Sequence, residues 1–226
     1  MKSYCISLIL SVIFMPLAAQ INTDLAPFEH IKIMGFFDVE LIVGEEERIE
    51  IKAHDFDIDR IKISQQGGTL KLSTLRSIVE DADIDVKIYY QSLSSLSVGG
   101  GAKVESDQPL VGSDLYIRAG SGSEIYLEIE AGELEAQASE GAHLTLRGKV
   151  EILDAGANTG GILDGHRLVA QSAKMRAGTG GEASATVEQS LDAKANTGGV
   201  IRYAGSPPET NSRTILGGEV HPLRKR

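Results

Sequence analysis

Asp154, Lys174 and Asp192 follow one another at intervals of 20 and 18 residues and are the side chains of this sequence best suited by type to chemistry. Two carboxylates flanking a lysine can move protons on a polysaccharide, as lyases and hydrolases do. A carboxyl pair about 6.5–9.5 Å apart leaves room for the water of an inverting glycosidase. Residues so far apart in sequence can act together only if the chain returns to the same place at that interval. Whether it does is decided by the surrounding elements.

The octapeptide DAGANTGG at Asp154–Gly161 comes back as DAKANTGG at Asp192–Gly199. Both belong to a series of seven units at intervals of 18 to 21 residues, beginning VGGGAKV at Val98, AGSGSEIYL at Ala119, ASEGAHLTL at Ala138, ANTGGILDG at Ala157, AGTGGEASA at Ala177, ANTGGVIRY at Ala195 and LGGEV at Leu216. Aligned on glycine, Ala119, Ala138, Ala157, Ala177 and Ala195 fall in one column. Two residues earlier stand Ile117, Ala136, Ala155, Met175 and Ala193, and two earlier again Leu115, Leu134, Leu153, Ala173 and Leu191. After the turn comes a further apolar column, Ile125, Leu144, Leu163, Ala183 and Ile201. Between them lie polar columns: Tyr116, Glu135, Asp154, Lys174, Asp192, and Arg118, Gln137, Gly156, Arg176, Lys194.

A unit of about 19 residues cannot bury its own apolar face, but units stacked at about 4.8 Å pair in parallel and build a continuous core. The pattern predicts an all-β fold: a right-handed parallel β-solenoid of about 19–20 residues per coil, right-handed because parallel crossovers overwhelmingly are. The corner glycines are Gly101, Gly122, Gly141, Gly160, Gly180, Gly198 and Gly218, where positive φ or close approach is needed. Asn and Gly are read as the residues that take up left-handed geometry there, so the aligned Thr159, Thr179 and Thr197 need no ligand to explain them.

Stacking places Asp154 and Asp192 two coil steps, about 9–10 Å, apart, with Lys174 between. The same arrangement is a solvated ladder of alternating charge, each pair worth roughly 0.2–1 kcal/mol, and charged residues on an exposed strand face need no catalytic reason. No catalytic residue is assigned. The outward ladder Tyr116, Glu135, Asp154, Lys174 and Asp192 is the candidate binding face, with a polysaccharide-active β-helix enzyme as the alternative.

From Phe28 to about Tyr90 apolar residues alternate with period two (Ile31, Ile33; Val39, Leu41; Ile49, Ile51; Leu70, Leu72; Ile84, Val86, Ile88), which predicts strands with one buried face. The segment Ser73–Asp83 reads as a loop. Residues 20–92 form an N-terminal strand region and residues 93–226 the glycine-cornered repeats, unless 20–226 is one continuous domain. Residues 1–19 read as a secretory signal peptide, with Lys2 before an apolar run from Ile6 to Leu17 and small residues at its end. That run is too short to span a bilayer.

Export removes Cys5, so the mature chain has no cysteine; with 21 basic against 32 acidic residues its net charge is −11. Disulfides and thiolate metal sites are excluded, and nucleic acid is disfavoured as a partner. His30, His54, His143, His166 and His221 show no ligand spacing, and no nucleophile elbow, P-loop or calcium nonapeptide occurs. No metal or cofactor is expected. Open solenoid ends could join copies of the chain into a homo-oligomer.

FEHIKIMGFFDVELIVGEEERIEIKAHDFDIDRIKI at Phe28–Ile63, GGTLKLST, LSSLSVGGGAKV and the glycine-cornered units resemble the bacterial family named putative auto-transporter adhesin, head GIN domain. The resemblance implies an exported, repetitive all-β protein with a role in adhesion or surface binding, toward a glycan or a surface protein, in the periplasm, on the outer surface or outside the cell. It brings no catalytic residues. A self-translocating auto-transporter needs a C-terminal membrane barrel, for which the residues after Tyr203 are too few, so self-translocation is not expected.

Overall fold

The computed structural model describes residues 19–54, 57–74 and 83–223. The expected signal peptide, apart from Ala19, lies outside the described residues, as do most of the loop expected at Ser73–Asp83 and the last three residues. Seventeen strands join in one hydrogen-bonded sheet, and the helical content of the described residues is the 3-10 turn Ile58–Arg60.

A first strand, β1 Ala19–Asp24, precedes the alternating region, which gives six short strands: β2 His30–Met34, β3 Asp38–Val43, β4 Arg48–His54, β5 Ile61–Gln66, β6 Thr69–Thr74 and β7 Asp83–Tyr90. Then come β8 Ser95–Gly99, β9 Lys103–Ser106 and β10 Leu110–Ala119, followed by the long strands β11 Glu124–Ser139, β12 His143–Asn158, β13 Ile162–Gly178 and β14 Glu182–Asn196. Strands β15 Val200–Gly205, β16 Glu209–Ile215 and β17 Glu219–Pro222 close the described chain.

Each long strand serves two walls. The second half of β11 pairs with β10, whereas its first three residues pair with β9. At the other end β14 gives its first half to β15 and its second half to β16. We call the wall holding β2, β8, β10 and the second halves wall one, and the other wall two. All pairings from β8 onward are parallel, and the predicted columns are real: Ile117, Ala136, Ala155, Met175 and Ala193 are successive register partners, each fully buried. The β-solenoid predicted from the repeat is therefore the observed fold.

The corners explain why the octapeptide recurs. At Asn158–Gly161 the amide of Gly161 donates to the carbonyl of Asn158 at 2.9 Å, with Thr159 at φ 51° and Gly160 at φ 70°. Positive φ at both central residues with this bond is a type I′ turn. Each turn also bonds the next: Gly141 donates to the Thr159 carbonyl at 3.2 Å and Gly160 to the Thr179 carbonyl at 3.1 Å, so the corners form a ladder of their own. Two expectations change. The left-handed residue before glycine is Thr159, Thr179 or Thr197; the residue one position earlier, Asn158, Gly178 or Asn196, supplies the turn's carbonyl instead. In the last unit the positive-φ glycine is Gly217, not Gly218. Gly218 occupies the column of Gly161, where a Cβ would lie 2.4 Å from the Ala138 carbonyl oxygen, or 2.3 Å from that of Ala195 at Gly218. Simple alignment on a glycine pair cannot tell these two demands apart.

The N-terminal strands stack in the same walls, but out of chain order. In wall one β2 lies between β6 and β8, and in wall two β3 lies between β7 and β9. The coil made by β6 and β7 is thus laid over the earlier coil of β2 and β3. Outside it the direction reverses: β5 runs antiparallel to β6, β4 to β7, and β1 to β4. One apolar core runs from Phe28 to Ile201. At the opposite end, Thr210, Ser212 and Thr214 occupy the columns of Leu191, Ala193 and Ala195, so the inward-facing columns of wall one finish in hydroxyls, whereas the Ile201 column of wall two ends in Val220. An apolar last layer would instead meet water or another chain.

Candidate functional site

Tyr116, Glu135, Asp154, Lys174 and Asp192 are consecutive register partners on wall one, as their spacing implies. The column continues through Ser95 and His30 at one end and Asn211 at the other. Asp154 is partly exposed and ion-paired. Arg176, one coil on, grips both its oxygens at 2.5 and 3.4 Å. Glycine explains the reach: Arg176 faces Gly156, which has no side chain to block the guanidinium on its way to Asp154. Arg–carboxylate pairing of this kind orients both groups. Asp154 therefore faces Arg176 across the coil as well as Lys174 in its own column.

The neighbouring outward column on wall one is the site that the repeat alignment showed only in part. Arg118, Gln137, Gly156, Arg176 and Lys194 are partners in turn, and the register adds Ser97, Lys32, Lys71 and Ser64 at one end and Arg213 at the other. Lys32 and Lys71 belong to strands outside the glycine series, so their place in this column could be found only from strand pairing. Around them is an open groove of about 930 Å³. It is lined by Lys32, Lys71, Arg118, His30, Tyr116 and several serines, with Glu140 at its edge accepting from the Ser121 hydroxyl at 2.6 Å. Arg118 lies above the Tyr116 ring, 5.4 Å from its centre, and donates to the Gln137 amide oxygen at 3.1 Å.

Wall two is differently charged. Three of its cations are matched by carboxylates on adjacent strands: Lys87 with Glu40 at 2.8 Å, Arg147 with Glu128 at 3.1 Å and Arg202 with Glu182 at 2.6 Å. The hydrogen bond to Glu40, more than their Coulombic attraction, holds the Lys87 ammonium above its ordinary value. At Asp164 burial pushes the carboxyl upward, but hydrogen bonds from His166 and Ser184 outweigh it and hold the group below its ordinary value. Asp38, Asp83 and Asp85 come close enough together to share a cation, all exposed. Lys103 and Lys52 are register partners of Asp38 and Asp85, which makes the cluster part of a mixed-charge ladder.

A family model described as putative auto-transporter adhesin, head GIN domain, matches residues 27–207. No curated protein matches the chain. Among solved structures, a putative adhesin from Bacteroides fragilis superposes with a TM-score of 0.85 at 17% identity, covering 92% of this chain and 98% of that one. A putative lipid binding protein from Parabacteroides distasonis gives 0.71 at 19% identity over 92% and 98% of the two chains. A putative adhesin from Parabacteroides merdae gives 0.69 at 20% identity over 92% and 97%. At these identities the likeness is one of fold.

Proposed function

The chain belongs to the head GIN domain family, and from that premise we propose that it is an exported, non-enzymatic binding module, adhesin-like in role, that presents wall one to a glycan or a surface protein. The observation that carries this reading is register: outward residues on wall one repeat in unbroken columns from β6 to β16, on a backbone locked by laddered turns. A stiff face with groups at fixed spacing suits many weak contacts with a repetitive partner, whose combined avidity exceeds any single one. The ladder Tyr116, Glu135, Asp154, Lys174 and Asp192 is part of that face. Export to the periplasm, outer surface or surroundings is supported by the leader-like residues 1–19 and by the absence of cysteine after them.

A glycan and polysaccharide array, with a parallel panel of surface proteins, tests the reading using residues 20–226. Retention of a defined subset of ligands is expected, with no turnover of any polysaccharide. Turnover that disappears in the Asp154→Asn, Asp192→Asn double variant would establish the enzymatic alternative instead.

A further inference from the structure

Six cations, Lys71, Lys32, Arg118, Arg176, Lys194 and Arg213, share one outward column of ten positions on wall one, and no acid interrupts it. The chain as a whole carries a net charge of −10. With 22 basic residues against 32 acidic ones a column of ten positions is expected to carry both signs, as the columns of wall two do, where Lys87 meets Glu40, Arg147 meets Glu128 and Arg202 meets Glu182. In the basic column Lys32 is the direct partner of Lys71, and Lys194 lies between Arg176 and Arg213. Like charges directly opposite one another destabilise a sheet. Only Arg176 is relieved by a carboxylate. Among the described residues none lies within ion-pair distance of Lys32, Lys71, Arg118, Lys194 or Arg213.

A local rule broken in this way, with one ion pair among six cations as direct internal compensation, points to compensation from outside. We propose that this column is a binding track for an acidic polysaccharide, bearing carboxylates or sulfates along its length, with its strongest site in the groove of Lys32, Lys71 and Arg118. The proposal deepens the adhesive reading above and rests on it.

Three features select an acidic glycan among polyanions. The cations lie in a line along the stacking direction, one strand spacing or a small multiple apart, which matches a linear chain with charges at regular intervals. The groove offers hydroxyls at Ser95, Ser97 and Tyr116 beside the charges, and the half-exposed Tyr116 ring offers an apolar face to a sugar. The Arg118 fork can hold a carboxylate or sulfate through two bonds. Nucleic acid fits poorly, because Tyr116 alone cannot form a stacking platform for successive bases. A membrane surface fits poorly as well: the exposed apolar side chains at the groove's corner, Met34 and Phe36, are too few to insert as an amphipathic face.

The test is binding of residues 20–226 to polygalacturonate and to heparin at low and high salt, with dextran as neutral control and phosphatidylglycerol vesicles as a separate arm. The wild type is expected to hold at least one acidic chain, to lose it as salt rises, and to ignore dextran. The Lys32→Ser, Lys71→Ser, Arg118→Gln variant should bind at least tenfold more weakly while keeping the wild-type circular dichroism and unfolding midpoint. Lys194→Ser, Arg213→Ser should lose less, because Asp192 already opposes that end, and Lys32→Arg, Lys71→Arg should bind as the wild type does. The inference is overturned if the triple variant binds acidic chains as tightly as the wild type, or if the vesicles are bound and the acidic chains are not. A protein that ignores acidic chains yet retains neutral glycans or surface proteins loses the track and keeps the adhesive reading. One that retains nothing loses both.

Discussion

The two ends of wall one are filled in opposite ways. From β10 to β14 the coils follow chain order and the column nearest the turn is alanine throughout: Ala119, Ala138, Ala157, Ala177, Ala195. Toward the N-terminal end the same column is Val98, Ile33 and Leu72, its neighbour is Leu96, Ile31 and Leu70, and strands stack out of order. Both ends nevertheless share one ladder. The backbone bonds therefore fix the height of each coil, while side-chain size fixes only how far apart the walls stand. A sequence that keeps the ladder can route its coils in any order that the connections allow. Antiparallel β1, β4 and β5 then finish the N-terminal end with a change of direction, a route to closure different from the hydroxyl layer at the C-terminal end.

That contrast can be broken from either side. Ile31→Ala opens a void in the wide part of the core, where the side chain is 1% exposed, and should lower stability by about 2–5 kcal/mol in urea unfolding. Ala155→Leu makes the opposite error in the narrow part, where Ala155 is wholly buried, and overpacking should cost about 1–3 kcal/mol in the same assay. If Ala155→Leu were neutral, wall separation would not be set by these columns.

Smaller changes sharpen the picture of the regular half. Thr159 is β-branched and held at φ 51°, a conformation that Asn tolerates better. Thr159→Asn should therefore raise stability by roughly 0.5–1 kcal/mol, visible as a higher unfolding midpoint, with no counterpart to be gained in the N-terminal strands. The smallest effect concerns Asp164 on wall two. Its folded-state value is below its ordinary one, so its contribution is complete at neutral pH and fades as pH falls through that lowered value. Asp164→Asn should flatten the acid side of the stability curve slightly, as read from urea midpoints at pH 7 and pH 3.

Much of the regular half was legible because the same residues mark inside, outside and corner in every unit. Ile117, Ala136 and Ala155 could be superposed on paper before any pairing was known. The N-terminal order was not legible, since alternation in Ile31 and Ile33 or Leu70 and Leu72 says which face is buried and nothing about which strand lies beside it. For that reason the outward column appeared as Arg118, Gln137, Gly156, Arg176 and Lys194, a mixed set, and its continuation through Lys32 and Lys71 did not appear. The Asp154 and Asp192 pair was correctly placed in one column, but the guanidinium clamped on Asp154 depends on a gap at Gly156 that becomes meaningful only when Arg176 is known to face it.

The order of the stack is the claim on which both the basic column and the cap depend, and the absence of cysteine from residues 20–226 allows it to be measured by pairwise spin labelling. Successive register partners place His30 six strand spacings from Asp192, about 29 Å, and Thr69 seven, about 34 Å. Pulsed electron resonance on cysteine pairs at these positions should give the longer distance for Thr69, although Thr69 is nearer to Asp192 in sequence. A shorter distance for Thr69 than for His30 would mean that the coils follow chain order and that Lys32 and Lys71 do not extend the column of Arg118.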